Sequence, residues 1–285
     1  MSVTGYVIEK YNNMGKAYTC HRLAEEARLQ GIDLKIIGIH DTIISLDGIR
    51  NGGCELERRD FAINRYKWGK AKDAINSLVT RSYNSLAEYN LYINKYEQVK
   101  RLHSDYFIIP KYILGTALSS YDTVSEELGI PFVAKGLESS MGEEIFLIEK
   151  KADLDKLGHE YGIAKEWLFE EFITTSYGQD IRFYSIRGEV VACMQRKSKE
   201  DFRANVALGA SVEPYEITPK IRQIAKDIYE QTKLDFVGID LMFGTVKPYF
   251  CEINVMPGIE GIEKASGVNV ACKIMETIKG DFDDE

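Results

Sequence analysis

The sequence has few of the residues that soft metals and disulfide frameworks require. Its five cysteines, Cys20, Cys54, Cys193, Cys251 and Cys272, are scattered and form no C-x-x-C pair. An odd set of separated cysteines, mostly in apolar company, points to reduced thiols and a cytoplasmic protein. The four histidines, His21, His40, His103 and His159, show no ligand spacing, which argues against zinc. No apolar run is long enough to span a bilayer, and the stretch MSVTGYVIEKYNN is too polar for a secretory signal, so no membrane partner is expected. Positive charge is in deficit. With 36 Lys and Arg against 44 Asp and Glu, the net charge of -8 argues against a nucleic-acid partner, although a local basic patch can still serve an anionic ligand. The Walker pattern G-x-x-x-x-G-K-[ST] and the dinucleotide pattern G-x-G-x-x-G are both missing. What remains is an ordinary globular composition with enough length, 285 residues, for two or three domains.

Taken in order, residues 5–8, 16–30 and 34–39 read as strand, helix and strand, a βαβ unit with a parallel sheet. Residues 60–64 are a third strand, ending in the basic-aromatic cluster Arg65-Tyr66-Lys67-Trp68. Open α/β sheets place ligands at strand C-terminal ends, so this cluster is either an anion contact or a solvated strand end. Residues 69–101 read as two helices broken around Ser82-Tyr83-Asn84. Residues 131–135 and 145–148 read as strands, and the small-residue loop between them can fold over phosphates beside Lys135. Such a loop is equally an ordinary hairpin connection. Residues 167–173 are a strand, and 180–186 with 189–194 form a hairpin around Arg187-Gly188. The loop at 195–205 is rich in cations and amides; it is either solvated or able to hold a phosphoryl group. Thr218 caps a helix with Pro219 in its first turn, and residues 268–279 form the final helix.

The most informative stretch is residues 237–264. Two apolar runs flank Gly244-Thr245-Val246-Lys247, which reads as an antiparallel hairpin. A register symmetric about Val246 sets Asp240 opposite Glu252, with Asn254 on the same face. Tyr249, Cys251 and Ile253 then point into the core. Like charges directly opposite on a sheet repel unless a cation lies between them. Oxygen ligands without His or Cys suit Mg²⁺ and phosphate. The spacing alone leaves a second possibility, two solvated acids in another register.

These motifs together resemble the ATP-grasp ligases. They are Lys135 with its loop, Glu170-Glu171-Phe172-Ile173, Gln179-Asp180-Ile181-Arg182, Asp201-Phe202-Arg203-Ala204-Asn205, Gly238-Ile239-Asp240 and the long string from Glu252 to Lys264. Within that superfamily the chain is similar to the ribosomal-protein glutamate ligase (RimK) type. The likeness is strong over 131–279, weaker over 84–130 and loose before that. It implies an α/β and α+β architecture: an N-terminal parallel α/β pre-ATP-grasp domain (1–86), a central subdomain with the phosphate lid (87–165) and a C-terminal subdomain with the metal and nucleotide site (166–285).

The resemblance also implies a carboxylate–amine ligase that makes an amide or peptide bond through an acylphosphate, using ATP and Mg²⁺, with Mn²⁺ an alternative. The partners implied are a free amino acid such as glutamate and a carboxylate acceptor: a protein or peptide C-terminus, or a small metabolite. Relatives often form homo-oligomers. By the same resemblance Asp240, Glu252 and Asn254 hold metal, and Lys95 and Lys135 contact nucleotide. Ser139, Ser140 and Gly142 form the lid, Glu171, Phe172 and Ile173 face adenine, and Asp180 accepts from ribose. Arg203 and Asn205 steady the phosphoryl group, while Arg65 and Arg182 meet substrate. The chain departs from the family pattern in its glycine-poor lid, in Glu143-Glu144 beside that lid, and in Lys197 where arginine is common. The alternatives are a non-catalytic ATP-binding regulatory module of the same fold and a kinase that leaves phosphate on its substrate.

Overall fold

The computed structural model describes residues 2–12, 17–67, 69–139 and 142–283. The chain opens with strand β1 (Thr4–Glu9), helix α1 (Tyr18–Leu29) and strand β2 (Asp33–Gly38). A small antiparallel unit follows: β3 (Thr42–Ser45), β4 (Gly48–Asn51) and β5 (Cys54–Glu55). Strand β6 (Arg59–Asn64), helix α2 (Lys70–Asn76) and strand β7 (Val79–Tyr83) complete the domain. Its main sheet has the order β2-β1-β6-β7, and every pair is parallel. Tyr6, Val7 and Ile8 are wholly buried, as expected for a strand covered on both faces. The connections diverge between β1 and β6, which opens a crevice at the C-terminal ends of those strands. Glu9 ends β1 and Arg65 follows β6, so both stand at that crevice.

Two expectations for this region are corrected. Residues 79–83 form β7, not helix, because the β-branched and aromatic side chains of Val79-Thr80-Arg81-Ser82-Tyr83 fit a half-buried edge. The following helix is two, α3 (Leu86–Tyr92) and α4 (Lys95–Arg101). Asn94 starts the second by accepting from Tyr96 N at 3.0 Å, the work of an N-cap.

The central sheet contains β8 (Tyr112–Thr116), β9 (Phe132–Gly136), β10 (Ile145–Ile148) and β11 (Glu166–Glu171), in the order β10-β9-β11-β8. Helices α5 (Tyr121–Leu128) and α6 (Lys151–Tyr161) pack on it through Val124, Leu128, Leu154 and Leu157 against Phe132, Trp167 and Phe169. A boundary between 165 and 166 would detach β11 from its own sheet, since β11 hydrogen-bonds to both β8 and β9. The sheet therefore closes at Glu171. Helices α3 and α4 belong with the C-terminal core, where Tyr89, Tyr92 and Val99 join Ile239, Phe250 and Ile253.

The C-terminal sheet is built from β12 (Gln179–Ile186), β13 (Glu189–Lys197), β14 (Ser211–Pro214), β15 (Phe236–Met242) and β16 (Tyr249–Asn254), ordered β14-β13-β12-β15-β16. Helix α7 (Pro219–Thr232) covers it with Ile221, Ile224, Ala225 and Ile228, and Thr218 caps that helix as the sequence indicates. After α8 (Glu260–Ser266), helix α9 (Val270–Asp283) crosses to the N-terminal domain. There Ala271, Ile274 and Met275 share one core with Leu23 and Ala27 of α1. That shared core sets the crevice of the first domain against the β15–β16 hairpin. No helix among the described residues is long and apolar enough to cross a membrane.

Candidate active site

The β15–β16 register places Asp240 directly opposite Glu252. A bulge after Asp240 then pairs Leu241 with Phe250. The bulge changes the phase of β16, and this corrects the expected core set. Phe250 and Ile253 are buried, whereas Tyr249 and Cys251 are only half-buried. Burial nonetheless pushes the Cys251 thiol up to about 12; Lys135 pulls it down, and the carboxylates of Glu252, Asp240 and Asp180 add to the rise.

The like charges on the sheet are neutralised by arginines on the two neighbouring strands. Arg182 of β12 lies opposite Asp240, and Arg196 of β13 lies opposite Asp180. Arg182 forks onto Asp240, Nε to Oδ1 at 2.6 Å and Nη2 to Oδ2 at 2.5 Å. Arg196 forks onto Asp180, Nε to Oδ1 at 2.6 Å, and reaches Asp240 Oδ2 at 2.7 Å. Burial works against the Asp240 charge, but the two guanidiniums hold its carboxyl below the usual range. Asp180 is pushed up to about 6 by burial and by the charge of Asp240, against the pull of Arg196. Both oxygens of Asp180, the expected ribose acceptor, are thus engaged by Arg196.

Glu252 is more open. Its Oε2 lies 3.5 Å from Lys95 Nζ, and its Oε1 lies 3.9 Å from Arg182 Nη2. Asn254 Oδ1 accepts from Met256 N at 3.1 Å. Both residues line a cavity of about 730 Å³, together with Arg65, Lys67, Lys95, Arg182, Arg196 and Asn205. That volume suits a small-molecule site. Among the described residues no group of three or more His, Cys, Asp or Glu side chains is placed to hold a metal. The hairpin offers two carboxylates and an amide oxygen, with Asp240 already neutralised. Such a donor set fits Mg²⁺, which is bound by one or two carboxylates plus phosphate oxygens and water rather than by a protein cage.

The loop after β9 is held by cations that meet its backbone. Lys95 Nζ donates to Ser139 O at 2.5 Å, and Lys95 N donates to Leu137 O at 2.8 Å. Lys67 Nζ donates to Glu138 O. Arg203 donates through Nη1 to Gly142 O at 2.7 Å while its other nitrogens fork onto Asp201. Gly142 has φ +78°, a conformation that favours glycine, and a β-carbon there would sit a tight 3.3 Å from the side chains of Asn205 and Leu208. Ser139 lines the cavity and donates its hydroxyl to Gly136 O at 3.0 Å. Ser140 lies outside the described residues. Of the two acids beside the loop, Glu143 is exposed, and Glu144 folds across Gly136 to pair with Lys165 at 2.5 Å.

Lys135 is buried and pairs with Glu170 at 2.6 Å. Burial opposes its charge, but Glu170 and the other nearby acids raise it above the ordinary lysine value. Strand β11 ends at Glu171, whose Oε1 accepts from Lys111 N at 2.8 Å. In the connector that follows, Phe172 packs edge-on against Tyr177 and Phe202, and Ile173 is buried. Arg65 pairs with Glu9 at 2.8 Å and donates to Pro257 O at 3.2 Å. The first domain is thereby tied to the segment after Asn254. Arg182 lines the cavity, but its fork is spent on Asp240. Sequence reasoning missed Arg196 and Glu170. Arg196 was hidden by a bulge: counting outward from the Arg187-Gly188 loop sets Gln195 opposite Asp180, and the register shift between Tyr184 and Ser185 brings Arg196 there instead. Glu170 was hidden because β9 and β11 are far apart in the chain.

Comparison with known proteins gives the family and the fold. The family model described as "RimK-like ATP-grasp domain" matches residues 94–278. A probable alpha-L-glutamate ligase of Thioalkalivibrio sulfidiphilus (strain HL-EbGR7) is 28% identical over 281 residues, covering 93% of this chain and 92% of the relative. The ribosomal protein bS6–L-glutamate ligase of Escherichia coli O81 (strain ED1a) is 29% identical over 282 residues, covering 93% of each. Among solved structures, the ATP-grasp ligase PsnB complexed with its minimal precursor superimposes with a TM-score of 0.73 at 17% identity, over 98% of this chain and 99% of that one. The same ligase with a phosphomimetic variant of the precursor, Mg and ADP gives 0.70 at 16% identity, over 98% of this chain and 99% of that one. At that identity the superpositions establish the ATP-grasp fold.

Proposed function

The chain belongs to the RimK-like ATP-grasp family and is an ADP-forming ligase, and from that premise we propose that it joins glutamate or another amino acid to the carboxylate of a protein, peptide or small molecule, using ATP and Mg²⁺. The observation that carries this is the Asp240–Glu252 pair, set opposite on adjacent strands, with Glu252 lining a cation-rich cavity and Asp240 buried behind it.

Glu252 and Asn254, with Asp240 behind them, would hold Mg²⁺, which when bound neutralises charge on the phosphates. Lys135 and Lys95 meet phosphate oxygens, and Ser139 and Gly142 cover them. The backbone at Glu171–Ile173 faces the base. Asp180 orients Arg196 and borders the ribose. A substrate carboxylate oxygen attacks the γ-phosphorus, and the bond to the β-phosphate oxygen breaks with its electron pair leaving on ADP. The amine then attacks the acyl carbon, and phosphate departs carrying the amine proton. Arg203 and Asn205 steady the transferring group, whose charge is worth most to stabilise where water is excluded. Arg65, at the crevice of the first domain, meets the substrate. Arg182 holds Asp240 and closes the substrate side.

The test is phosphate release from Mg²⁺-ATP with a panel of amino acids, each with candidate carboxylates or a protein extract, followed by intact mass. The expected result is ADP in step with a product heavier by one amino acid less water. A stable phosphorylated product without an amide would overturn it.

A further inference from the structure

The side chain of Lys67 is used neither by the family resemblance nor by the mechanism above. It lies two residues beyond Arg65, past the end of β6, where the crevice of the parallel sheet opens. It lines the same cavity as Lys95, Glu252, Asn205 and Ser139. Its ammonium donates to Glu138 O, and the ammonium of Lys95 donates to the next carbonyl, Ser139 O, at 2.5 Å. Two cations thus rest on consecutive carbonyls of the lid, one from the first domain and one from α4. A neutral carbonyl is a weaker acceptor for an ammonium than a phosphate oxygen. Side-by-side ammoniums repel, and a polyanion that reaches both relieves the repulsion. Acids stand beside the neighbouring cations: Asp240 and Asp180 hold Arg182 and Arg196, Glu170 holds Lys135, and Glu252 lies 3.5 Å from Lys95. The cavity lining holds more Lys and Arg than Glu, an excess of positive charge that, in a chain of net charge -8, marks the place of an anion.

We propose that Lys67 is a phosphate-contacting residue supplied by the N-terminal domain. On ATP binding its ammonium exchanges the Glu138 carbonyl for oxygens of the γ-phosphoryl group and stays on that group as it passes to the acylphosphate. The domain that lies outside the two-sheet clasp then touches the one phosphate that distinguishes ATP from ADP. This inference rests on the ligase reading for the acylphosphate, and on the cavity alone for the γ-phosphate.

The experiment is calorimetric titration of the full chain with Mg²⁺-AMPPNP and with Mg²⁺-ADP, for wild type, Lys67→Met, Lys67→Gln and Lys67→Arg. Losing a charge-assisted contact should weaken AMPPNP binding by roughly tenfold or more in the Met and Gln variants. ADP affinity should change by less than about twofold, because the contact is to the absent phosphate, and Lys67→Arg should recover most of the AMPPNP loss. Gln keeps a donor for Glu138 O, so it remains informative if Met disturbs the fold. Equal losses on both nucleotides, or no loss on either, would reduce Lys67 to a latch on the lid and overturn the proposal. The binding readout needs no acceptor. Lys67-dependent AMPPNP binding without ligation would sink the ligase reading alone, whereas ligation with an unaltered AMPPNP:ADP preference in Lys67→Met would sink this inference alone.

Discussion

The floor of the cavity and its lid both hold cations, in two different ways. On the floor, Arg182, Arg196, Asp180 and Asp240 pair side chain to side chain across adjacent strands and in register, all buried but the half-buried Arg182. At the lid, Lys67, Lys95 and Arg203 come from separate parts of the chain and donate to the backbone carbonyls of Glu138, Ser139 and Gly142. The floor cannot lose a member without stranding a buried charge. The lid can exchange its partners one at a time, because a carbonyl released from an ammonium can turn to water or to another donor. The floor is therefore a fixed template, and the lid is the part that can yield to nucleotide.

Four substitutions would sharpen or break this contrast. Asp240→Ala removes the carboxylate that Arg182 forks onto and one of the two that the buried Arg196 holds, and should destabilise the fold by about 3–5 kcal/mol in denaturant titration; a loss below about 1 kcal/mol would mean that the floor is not an ion network. Glu252→Gln, at the open end of the floor, should leave denaturant stability within about 1 kcal/mol but lower turnover by at least about 10²-fold. Stability and activity falling together would place Glu252 with the fixed pairs. Arg203→Met removes a lid contact, and steady-state kinetics should give a roughly tenfold to hundredfold lower kcat. Its melting temperature should hold.

The smallest effect is in the pH dependence of the lid's own ion pair. Arg203 holds the Asp201 carboxyl below its ordinary value. A depressed carboxylate contributes stability above its unfolded pKa of about 3.9 and loses it as pH falls through the folded value. The stability gap between wild type and Asp201→Asn should be flat above about pH 5 and close below that folded value. For a pair this exposed it should stay under about 1 kcal/mol. A gap that widens toward acid would reverse the assignment.

The same contrast explains what the sequence made legible. A hairpin with a short glycine-containing loop lets the register be counted, and counting paired Asp240 with Glu252. The count failed at Cys251, because a bulge leaves no mark in the residue pattern. The N-cap at Thr218 and the buried stripe of α7 were readable because both are local. Strand β7 was not, since its polar alternation sits among helix formers and only its pairing with β6 decides it. The lid was least readable. Its contacts use backbone carbonyls that every residue carries, and its donors lie far away in the chain. Its shortage of glycine looked like a defect, yet Glu143 beside it is exposed and Glu144 is held by Lys165.

The central claim is that a carboxylate is activated by phosphorylation over this floor. The direct test is ligation with an acceptor whose carboxylate carries ¹⁸O, followed by mass analysis of the released phosphate and nucleotide. An acylphosphate route should leave one labelled oxygen in inorganic phosphate and none in nucleotide. Label in AMP, or unlabelled phosphate alongside amide product, would contradict the account.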